Sequence, residues 1–558
     1  GVGSQQDIAK KLIAEQQEMP VEDVWRVVQY LGYKISYERV QIIAREVDND
    51  ASGYISFQEL LKLVRRVRDA EREAISTVFE ILAEEGIRLQ LRDLGHALAE
   101  LRYYVTEDLI KHILDHLRLK SNQYVTQDET VAFLNALREK DGFTPQERRE
   151  MEGAFEHQCQ VTAQRRFLQQ LEEHPHPPKT GSPKTAPASP TTGLQIPVPA
   201  SPKTTHASPR PPGVNLDAVR ADHAVDALRA SRVMRWFGFT KPLQQVQTML
   251  DEIDLDARGK LEITEFLKLM QRQFSELRGE QWNLFTMLDN KGNDHVMVSK
   301  IPFAVQKLSQ YGASIAKAEK AANENHFTLM DTKESVSRST FQAFFKSFRR
   351  LEIDEMRQHA CYNASEVLAL RECFNKFDKD RSGTVEKREL AKIIAEYFPE
   401  ATKSKEGRAE MQLILKDVDQ DGNGALDFLE FLVLMRRCDD IRDESDIQLE
   451  ETVAVALGIE ADELEGYRSI FAAKANWVGE LTPADVQSIM SYITEFSDED
   501  VSALNAIVRE VHPDHKLLMR FPQFLQVMKR LVDDNVGNIN QHCERTLKRA
   551  SQRGSLLL

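Results

Sequence analysis

The sequence has few cysteines, and they follow no disulfide or zinc pattern. The five are scattered and include no C-x-x-C pair: Cys159, Cys361, Cys373, Cys438 and Cys543. Disulfide frameworks and zinc sites need closely spaced cysteines, so this distribution predicts neither and favours a reducing compartment. Long apolar runs are also missing. The densest one, Phe428 to Met435, falls far short of the roughly 20 residues that cross a bilayer, so we predict a cytoplasmic protein without a membrane span.

Basic net charge and the common catalytic motifs are absent as well. The chain has 88 Asp and Glu against 73 Lys and Arg, a formal net charge of -15. This acidity argues against a general nucleic-acid-binding protein, which would need a basic surface. The sequence contains no P-loop lysine motif, dinucleotide-binding glycine fingerprint, kinase H-R-D signature or G-x-S-x-G elbow. We therefore predict that the protein is not an enzyme.

One proline-rich segment divides the 558-residue chain. Residues 174–213 hold 12 of the 20 prolines and no Asp or Glu, and they include Ser-Pro dipeptides at Ser182, Ser189, Ser201 and Ser208. A segment with so little to bury is expected to be a disordered linker. Its basic Ser-Pro repeats look like proline-directed phosphorylation sites. They are similar in composition to microtubule-associated proteins, whose partner is the acidic tubulin surface; a plain soluble spacer is the alternative.

An acidic repeat occurs four times outside this segment. Glu46–Glu59, Glu252–Glu265 and Asp417–Glu430 align without gaps, and Phe377–Glu389 follows the same plan. Each repeat has oxygen-bearing side chains at loop positions 1, 3 and 12, a glycine at position 6 and an aliphatic residue at position 8. This pattern resembles the EF-hand calcium loop, a twelve-residue segment between two helices that wraps a calcium ion in oxygen ligands.

The flanks of the loops and weaker copies of the repeat predict the fold. Apolar residues before and after the loop at Asp419 recur with i, i+3, i+4, i+7 spacing, which indicates amphipathic helices. The resemblance implies an all-α protein of tandem EF-hand helix-loop-helix pairs, twelve hands in about three calmodulin-like modules. Paired loops should meet through their position-8 residues, among them Ile55, Val385 and Leu426. Degenerate loop registers begin at Leu12, Leu82, Arg118, Ala218, Asp289, near Asp331, at Lys474 and near His512.

These registers give the predicted domain boundaries. A four-hand module spans 1–172, with one complete loop at 48–59, and a Pro/Ser/Thr/Lys-rich linker follows at 173–213. A degenerate module spans 214–355, with a marginal loop at 254–265, and a complete pair spans 356–440, with loops at 378–389 and 419–430. A degenerate pair at 441–535 and a basic tail at 536–558 complete the chain.

Three loops have a full set of calcium ligands by resemblance to the EF-hand. Each provides side-chain oxygens at positions 1, 3 and 5, a backbone carbonyl at position 7 and a bidentate glutamate at position 12. The predicted ligands are Asp48, Asp50, Ser52, Tyr54 and Glu59 in the first loop, Asp378, Asp380, Ser382, Thr384 and Glu389 in the second, and Asp419, Asp421, Asn423, Ala425 and Glu430 in the third. We therefore expect three calcium ions.

The loop at Asp254 departs from this pattern. Asp254, Asp256 and Glu265 keep their positions, but Arg258 at position 5 has no oxygen to donate and adds a positive charge. A fourth calcium ion there is doubtful. The remaining registers have Lys or Arg at ligand positions, so we interpret them as packing units that do not bind metal.

The ratio of complete to degenerate loops suggests the role of the protein. We expect a calcium-binding scaffold, structural or regulatory, that acts through protein-protein contacts. Its setting would be a cytoskeletal, microtubule or flagellar axonemal assembly, with tubulin or other cytoskeletal proteins as partners. A soluble calcium sensor that regulates an enzyme or channel is the alternative. A plain calcium buffer fits poorly, because most of the hands would store nothing.

Overall fold

The computed structural model is predominantly helical, which confirms the all-α prediction. It describes residues 18–83, 86–119, 123–173, 223–241, 243–256, 258–309, 311–330, 333–386, 389–393, 405–419, 421–459, 461–475, 480–493, 497–511 and 518–539. Within these ranges, every helix is too short or too polar to span a membrane. The predicted linker lies outside the described residues except for Glu173, and so does the predicted tail after Ile539.

Capping side chains set the starts of many helices. The Ser36 hydroxyl accepts a hydrogen bond from the Arg39 N–H, and Thr106 and Asp226 do the same for the helices that follow them, which satisfies N–H groups that the helix itself cannot pair. In the first half the α-helices are Val24–Tyr30, Tyr37–Val47, Phe57–Leu82, Leu94–Glu100, Glu107–His116, Gln127–Glu139, Pro145–Glu173, Ala227–Trp236, Leu243–Ile253 and Ile263–Leu288. In the second half they are Ile301–Leu308, Ile315–Glu324, Arg338–Gln358, Ala364–Phe377, Lys405–Val418, Phe428–Leu457, Ala461–Ala472, Pro483–Ile493, Asp498–Val511 and Phe521–Asp533. Single 3-10 turns span Val21–Asp23, Leu91–Asp93, Val298–Lys300 and Val536–Asn538.

Short antiparallel contacts join the loops two by two at position 8. Ile55 is opposite Met19, and Leu426 is opposite Val385, as the repeat predicts. The described residues contain six such contacts, which define pair I (Met19–Pro20 with Tyr54–Ile55), pair II (Leu89–Gln90 with Tyr124–Val125), pair III (Ala224–Val225 with Leu261–Glu262), pair IV (His295–Met297 with Ser335–Ser337), pair V (Val385–Glu386 with Ala425–Leu426) and pair VI (Leu481 with Met519).

Each pair encloses an apolar core, and long helices run from one core to the next. Helix Phe57–Leu82 contributes Leu63 to the core of pair I and Phe79 to that of pair II. Helix Phe428–Leu457 connects pairs V and VI in the same way, through Phe431 and Val453. A hand buries its amphipathic helices only against a mate, so pairing and continuous helices together give the chain its repeat architecture.

The β contact of pair IV places one register more exactly than the sequence does, two residues before Asp331. Val296, at position 8 of the Asp289 loop, is opposite Val336, so the mate loop begins at Leu329 and not at Asp331. In this register Asp331 is at position 3, Leu329 replaces the position-1 ligand and Lys333 is at position 5. The register follows from Val336, which is 3% exposed and packs in the core between the more exposed Ser335 and Ser337.

Three features cross the predicted domain boundaries. Helix Pro145–Glu173 was assigned to the first module, yet its residues Met151 and Phe155 pack in the core of pair III. The boundary at 440 falls inside helix Phe428–Leu457. Ile539 was assigned to the tail, but it is fully buried in the core of pair VI. Module boundaries follow these shared cores more closely than they follow the spacing of the loops.

Buried arginines connect neighbouring pairs. Arg138 of pair II forms an ion pair with Glu71, and the Tyr103 hydroxyl donates to the same Glu71 carboxylate at 2.6 Å. Burial raises the pKa of Tyr103, so this hydroxyl remains a donor. Between pairs III and V, the Arg232 guanidinium is 3.0 Å from Glu444 Oε1. None of these contacting residues is a predicted calcium ligand.

Candidate calcium sites

The loop at Asp48 brings its predicted ligands together. Carboxylate oxygens of Asp48, Asp50 and Glu59 lie within 4.8 Å of one another. The Ser52 backbone N–H donates to Asp48 and Asp50 at 3.1 Å each, and the Ser52 hydroxyl is 3.1 Å from the Tyr54 carbonyl oxygen. All five predicted ligands of this loop therefore converge on one site.

Glu59 is held in place by the start of its own helix. The Ser56 N–H donates to Glu59 Oε2 at 3.1 Å and the Ser56 hydroxyl at 2.8 Å, while the Asn49 N–H donates to Oε1 at 3.2 Å. The Ser56 hydroxyl is the main reason that the pKa of Glu59 lies below its usual value. The same effect of Ser52 lowers the pKa of Asp50. The loop thus presents ionised carboxylates to a cation.

The loop at Asp419 has the same arrangement and an unsatisfied oxygen. Asp419, Asp421 and Glu430 bring carboxylate oxygens within 4.8 Å of one another. Asp419 Oδ2 accepts a hydrogen bond from the Gly424 N–H at 3.0 Å, whereas Asp419 Oδ1 is buried and has no hydrogen-bond partner. A buried carboxylate oxygen without a partner is costly. A calcium ion at this position would satisfy it, so the residues present fit the ion.

The two remaining predicted ligands of this loop lie beside Asp421. The Asn423 N–H donates to Asp421 Oδ1 at 3.0 Å, and the Ala425 N–H donates to Asn423 Oδ1 at 2.7 Å. Glu430 lies in the first turn of helix Phe428–Leu457 and forms a capping box with Asp427. A ligand of this loop therefore belongs to the helix that continues into pair VI.

The loop at Asp378 is organised in its first half only. The Ser382 N–H donates to Asp378 and Asp380 at 3.0 Å each, and the Ser382 hydroxyl is 3.0 Å from the Thr384 carbonyl oxygen, as in the Asp48 loop. Glu389 accepts a hydrogen bond from the Glu386 N–H at 3.4 Å, as Glu59 and Glu430 do from the position-9 N–H of their loops. Among the described residues, Asp378, Asp380 and Glu389 do not form a cluster within 4.8 Å. Glu389 would have to move to close this site.

The loop at Asp254 gathers its carboxylates around an arginine. Asp254, Asp256 and Glu265 approach within 4.8 Å, as in the complete loops. The Arg258 guanidinium makes ion pairs with Asp256 at 2.7 Å, Glu262 at 2.9 Å and Glu265 at 3.5 Å. The hydrogen bond to Asp256 raises the pKa of Arg258. The sequence predicts that Arg258 adds a positive charge to the loop, but it does not predict that the guanidinium pairs with the loop's own carboxylates. The four-residue spacing of Arg258 and Glu262 is the one sequence feature that suggests such a pair.

The loop at Asp289 also replaces a ligand with a cation. Lys300 occupies position 12, where a complete loop has glutamate, and its ammonium group donates to the Leu288 carbonyl at 2.6 Å. Asp289 accepts hydrogen bonds from the N–H groups of Asn293 and Asp294 at 3.3 and 2.7 Å. The polar groups of this loop are thus engaged within the chain.

Comparisons with protein families agree with this geometry. A model described as an EF-hand domain pair matches residues 368–436, which include the loops at Asp378 and Asp419. A second model, also described as an EF-hand domain pair, matches residues 21–66 and 239–273, which include the loops at Asp48 and Asp254. EF-hand domains indicate calcium binding. Together with the paired helix-loop-helix fold, these matches show that the chain contains EF-hand domain pairs and support its place in the EF-hand superfamily.

Proposed function

We propose that the protein binds three calcium ions, in the loops at Asp48, Asp378 and Asp419, and acts as a structural and regulatory scaffold without catalytic activity. The observation that carries the assignment at the Asp419 loop is the buried Asp419 Oδ1, which has no hydrogen-bond partner and belongs to a carboxylate cluster with the oxygen ligand Asn423, and not a cation, at position 5. Calcium would supply the missing positive charge in these loops, which take it up in hard oxygen ligands.

Contacts that do not use calcium support the scaffold role. The Arg138–Glu71 pair lies between pairs I and II with side-chain exposures of only 9% and 8%. Arg349 of pair IV donates to the Gly238 carbonyl of pair III. Most hands therefore have a packing role that a change in calcium concentration leaves intact.

Regulation is best placed at pair V. Helix Phe428–Leu457 begins at the Asp419 loop and continues with acidic residues that contact other pairs. Asp440 lies 3.2 Å from Arg232 and 3.3 Å from Arg235 of pair III, and Asp443 lies 3.1 Å from Arg520 of pair VI. Loss of calcium from the Asp419 loop would release Glu430 and so act directly on the helix that makes these contacts.

Native mass spectrometry of the full chain in calcium tests the assignment. We expect three ions, and the variants Glu59→Gln, Glu389→Gln and Glu430→Gln should each lose one. Glu372→Gln, on the exposed face of helix Ala364–Phe377, removes the same charge outside the loops and should lose none. A wild-type chain that binds no calcium would contradict the proposal.

The proposed setting is a cytoskeletal, microtubule or flagellar axonemal assembly. The support is the basic Ser-Pro repeat of residues 173–213, which suits an acidic surface such as that of tubulin. Cosedimentation with microtubules tests this setting, with a chain lacking residues 174–213 as the control. Equal recovery of both chains in the soluble fraction at every calcium level would exclude it.

A soluble calcium sensor is the second candidate, favoured by a cavity beside pair V. The cavity has a volume of about 260 Å³ and lies where pairs III, V and VI meet, with Leu370, Met435 and Phe521 in its wall. This function predicts that calcium exposes apolar surface around residues 365–435. Binding of an apolar dye should then increase with calcium and lose that increase in the Glu389→Gln, Glu430→Gln double variant.

A further inference from the structure

The Asp254 loop already contains a cation. The Arg258 guanidinium, at loop position 5, contacts the carboxylates at positions 3, 9 and 12, which are Asp256, Glu262 and Glu265. In a complete hand these same positions face the calcium ion, directly or through water. Arg258 therefore contacts the same side chains that would bind a calcium ion in a complete hand.

The remaining acidic position is also shaped for a cation. Asp254 at position 1 is 3% exposed, and its Oδ2 accepts a hydrogen bond from the Gly259 N–H at 2.6 Å. Asp254 Oδ1 is buried and has no hydrogen-bond partner. The Glu262 N–H donates to Glu265 at 2.8 Å, and Leu261 keeps its β contact with Val225. The loop has the closed form of a metal-binding hand.

We propose that Arg258 is a built-in replacement for calcium that holds the Asp254 loop closed at every calcium concentration. A guanidinium carries a permanent charge and several directed N–H donors, so it can neutralise and orient several carboxylates at once. A calcium ion entering this loop would have to displace three ion pairs, and it would find no oxygen at position 5.

The location of the loop explains why it should not respond to calcium. Arg26 of pair I donates to the backbone carbonyls of Asp251, Glu252 and Asp254, at the end of the helix that leads into this loop. Leu255, within the loop, packs against the core of pair I. A loop that opened and closed with calcium would move the attachment between pairs I and III, which Arg258 prevents.

Replacement of Arg258 by asparagine tests the proposal in the full chain. Asparagine is the position-5 ligand of the Asp419 loop, so Arg258→Asn should create a calcium site and bind one ion more than wild type by native mass spectrometry. Arg258→Asn with Glu265→Gln should lose that extra ion. Wild type and Glu265→Gln alone should bind equal numbers. Because the other loops contribute equally to all four chains, failure of the proposed calcium sites would not affect these differences.

Thermal unfolding gives a second readout. Without calcium, Arg258→Asn and Arg258→Met should both unfold at a lower temperature than wild type, because their carboxylates lack the cation. Calcium should restore the asparagine variant and not the methionine variant, which offers no oxygen. The proposal is overturned if Glu265→Gln alone loses an ion, or if Arg258→Asn gains no ion and unfolds as wild type. Should Arg258→Asn fail to fold, the wild-type and Glu265→Gln counts still decide: equality upholds the proposal, and a lost ion refutes it.

Discussion

The loops at Asp419 and Asp254 share their clustered carboxylates and differ at position 5. Each gathers three carboxylates within 4.8 Å, and each has a buried aspartate oxygen at position 1 without a hydrogen-bond partner. At position 5 the first has Asn423, an oxygen ligand, and the second has Arg258, a cation. If the two proposals above hold, clustered carboxylates in such a loop can be neutralised either by a calcium ion or by a cationic side chain of the chain itself.

Calcium removal should separate the two loops most strongly. A site filled at a free concentration of 100 times its Kd stabilises the folded state by about 2.7 kcal/mol. Chelation should therefore loosen pair V and leave the Asp254 loop unchanged. Hydrogen exchange measured with calcium and with a chelator checks this, with faster exchange expected over residues 411–435 and equal exchange over 243–270. Faster exchange over both segments would break the comparison.

The reciprocal substitution, Asn423→Arg, should give the Asp419 loop an arginine at position 5, as in the Asp254 loop. An arginine there removes an oxygen ligand and adds a charge among Asp421, Asp427 and Glu430, so we expect calcium binding at this loop to weaken by at least roughly 100-fold. Titration calorimetry in the Glu59→Gln, Glu389→Gln background isolates this site, because both other proposed calcium loops then lack their position-12 glutamate. Asn423→Ser is the matched control, because serine occupies position 5 in the Asp48 loop, and it should retain binding.

The two loops of pair V should differ in affinity. Glu430 already lies with Asp419 and Asp421, whereas Glu389 must move toward Asp378 and Asp380 before it can bind. A reorganisation of about 1.4 kcal/mol corresponds to tenfold in Kd, so we expect the Asp378 loop to bind roughly tenfold more weakly. Calorimetry on the Glu59→Gln, Glu430→Gln and the Glu59→Gln, Glu389→Gln double variants measures each loop of pair V alone. Equal constants would show that the position of Glu389 has no energetic consequence.

The fold was predictable from the sequence even where the ligands are lost. Leu481 and Met519 form the β bridge of pair VI, and both sit at the predicted position 8. The apolar residue survives because every pair must bury its loops, with or without metal. In the loop at Leu329 the position-1 ligand and the glycine are lost and only Asp331 keeps a predicted ligand position, so the sequence placed the register near Asp331 and not at its start two residues earlier.

The contacts between pairs could not be predicted. Arg26 donates to the carbonyl of Glu252, a residue 226 positions away, and backbone acceptors leave no trace in the amino-acid sequence. The inward turn of Arg258 was missed for a related reason. A long side chain at position 5 can extend into solvent or across the loop, and only the spatial arrangement of Asp256, Glu262 and Glu265 decides between them.

The smallest expected effect concerns a capping contact that two loops share. The loop at Asp48 has a full set of predicted calcium ligands, and the loop at Arg118 does not. Ser56 and Thr126 both sit at position 9 and both form capping boxes with the glutamate at position 12. Loss of such a cap typically costs about 1 kcal/mol. Ser56→Ala and Thr126→Ala should therefore destabilise helices Phe57–Leu82 and Gln127–Glu139 equally in the absence of calcium, as measured by native-state hydrogen exchange.

Calcium should then distinguish the two variants. The Ser56 hydroxyl holds Glu59 at 2.8 Å and lies at the loop position that commonly holds a water ligand, so Ser56→Ala should also weaken binding at the Asp48 loop, by roughly tenfold. Thr126 holds Glu129 in the same way at 3.0 Å, but Arg118 and Lys120 occupy ligand positions of that loop. Thr126→Ala should therefore leave every calcium constant unchanged, and any change would mean that pairs I and II transmit strain between their loops.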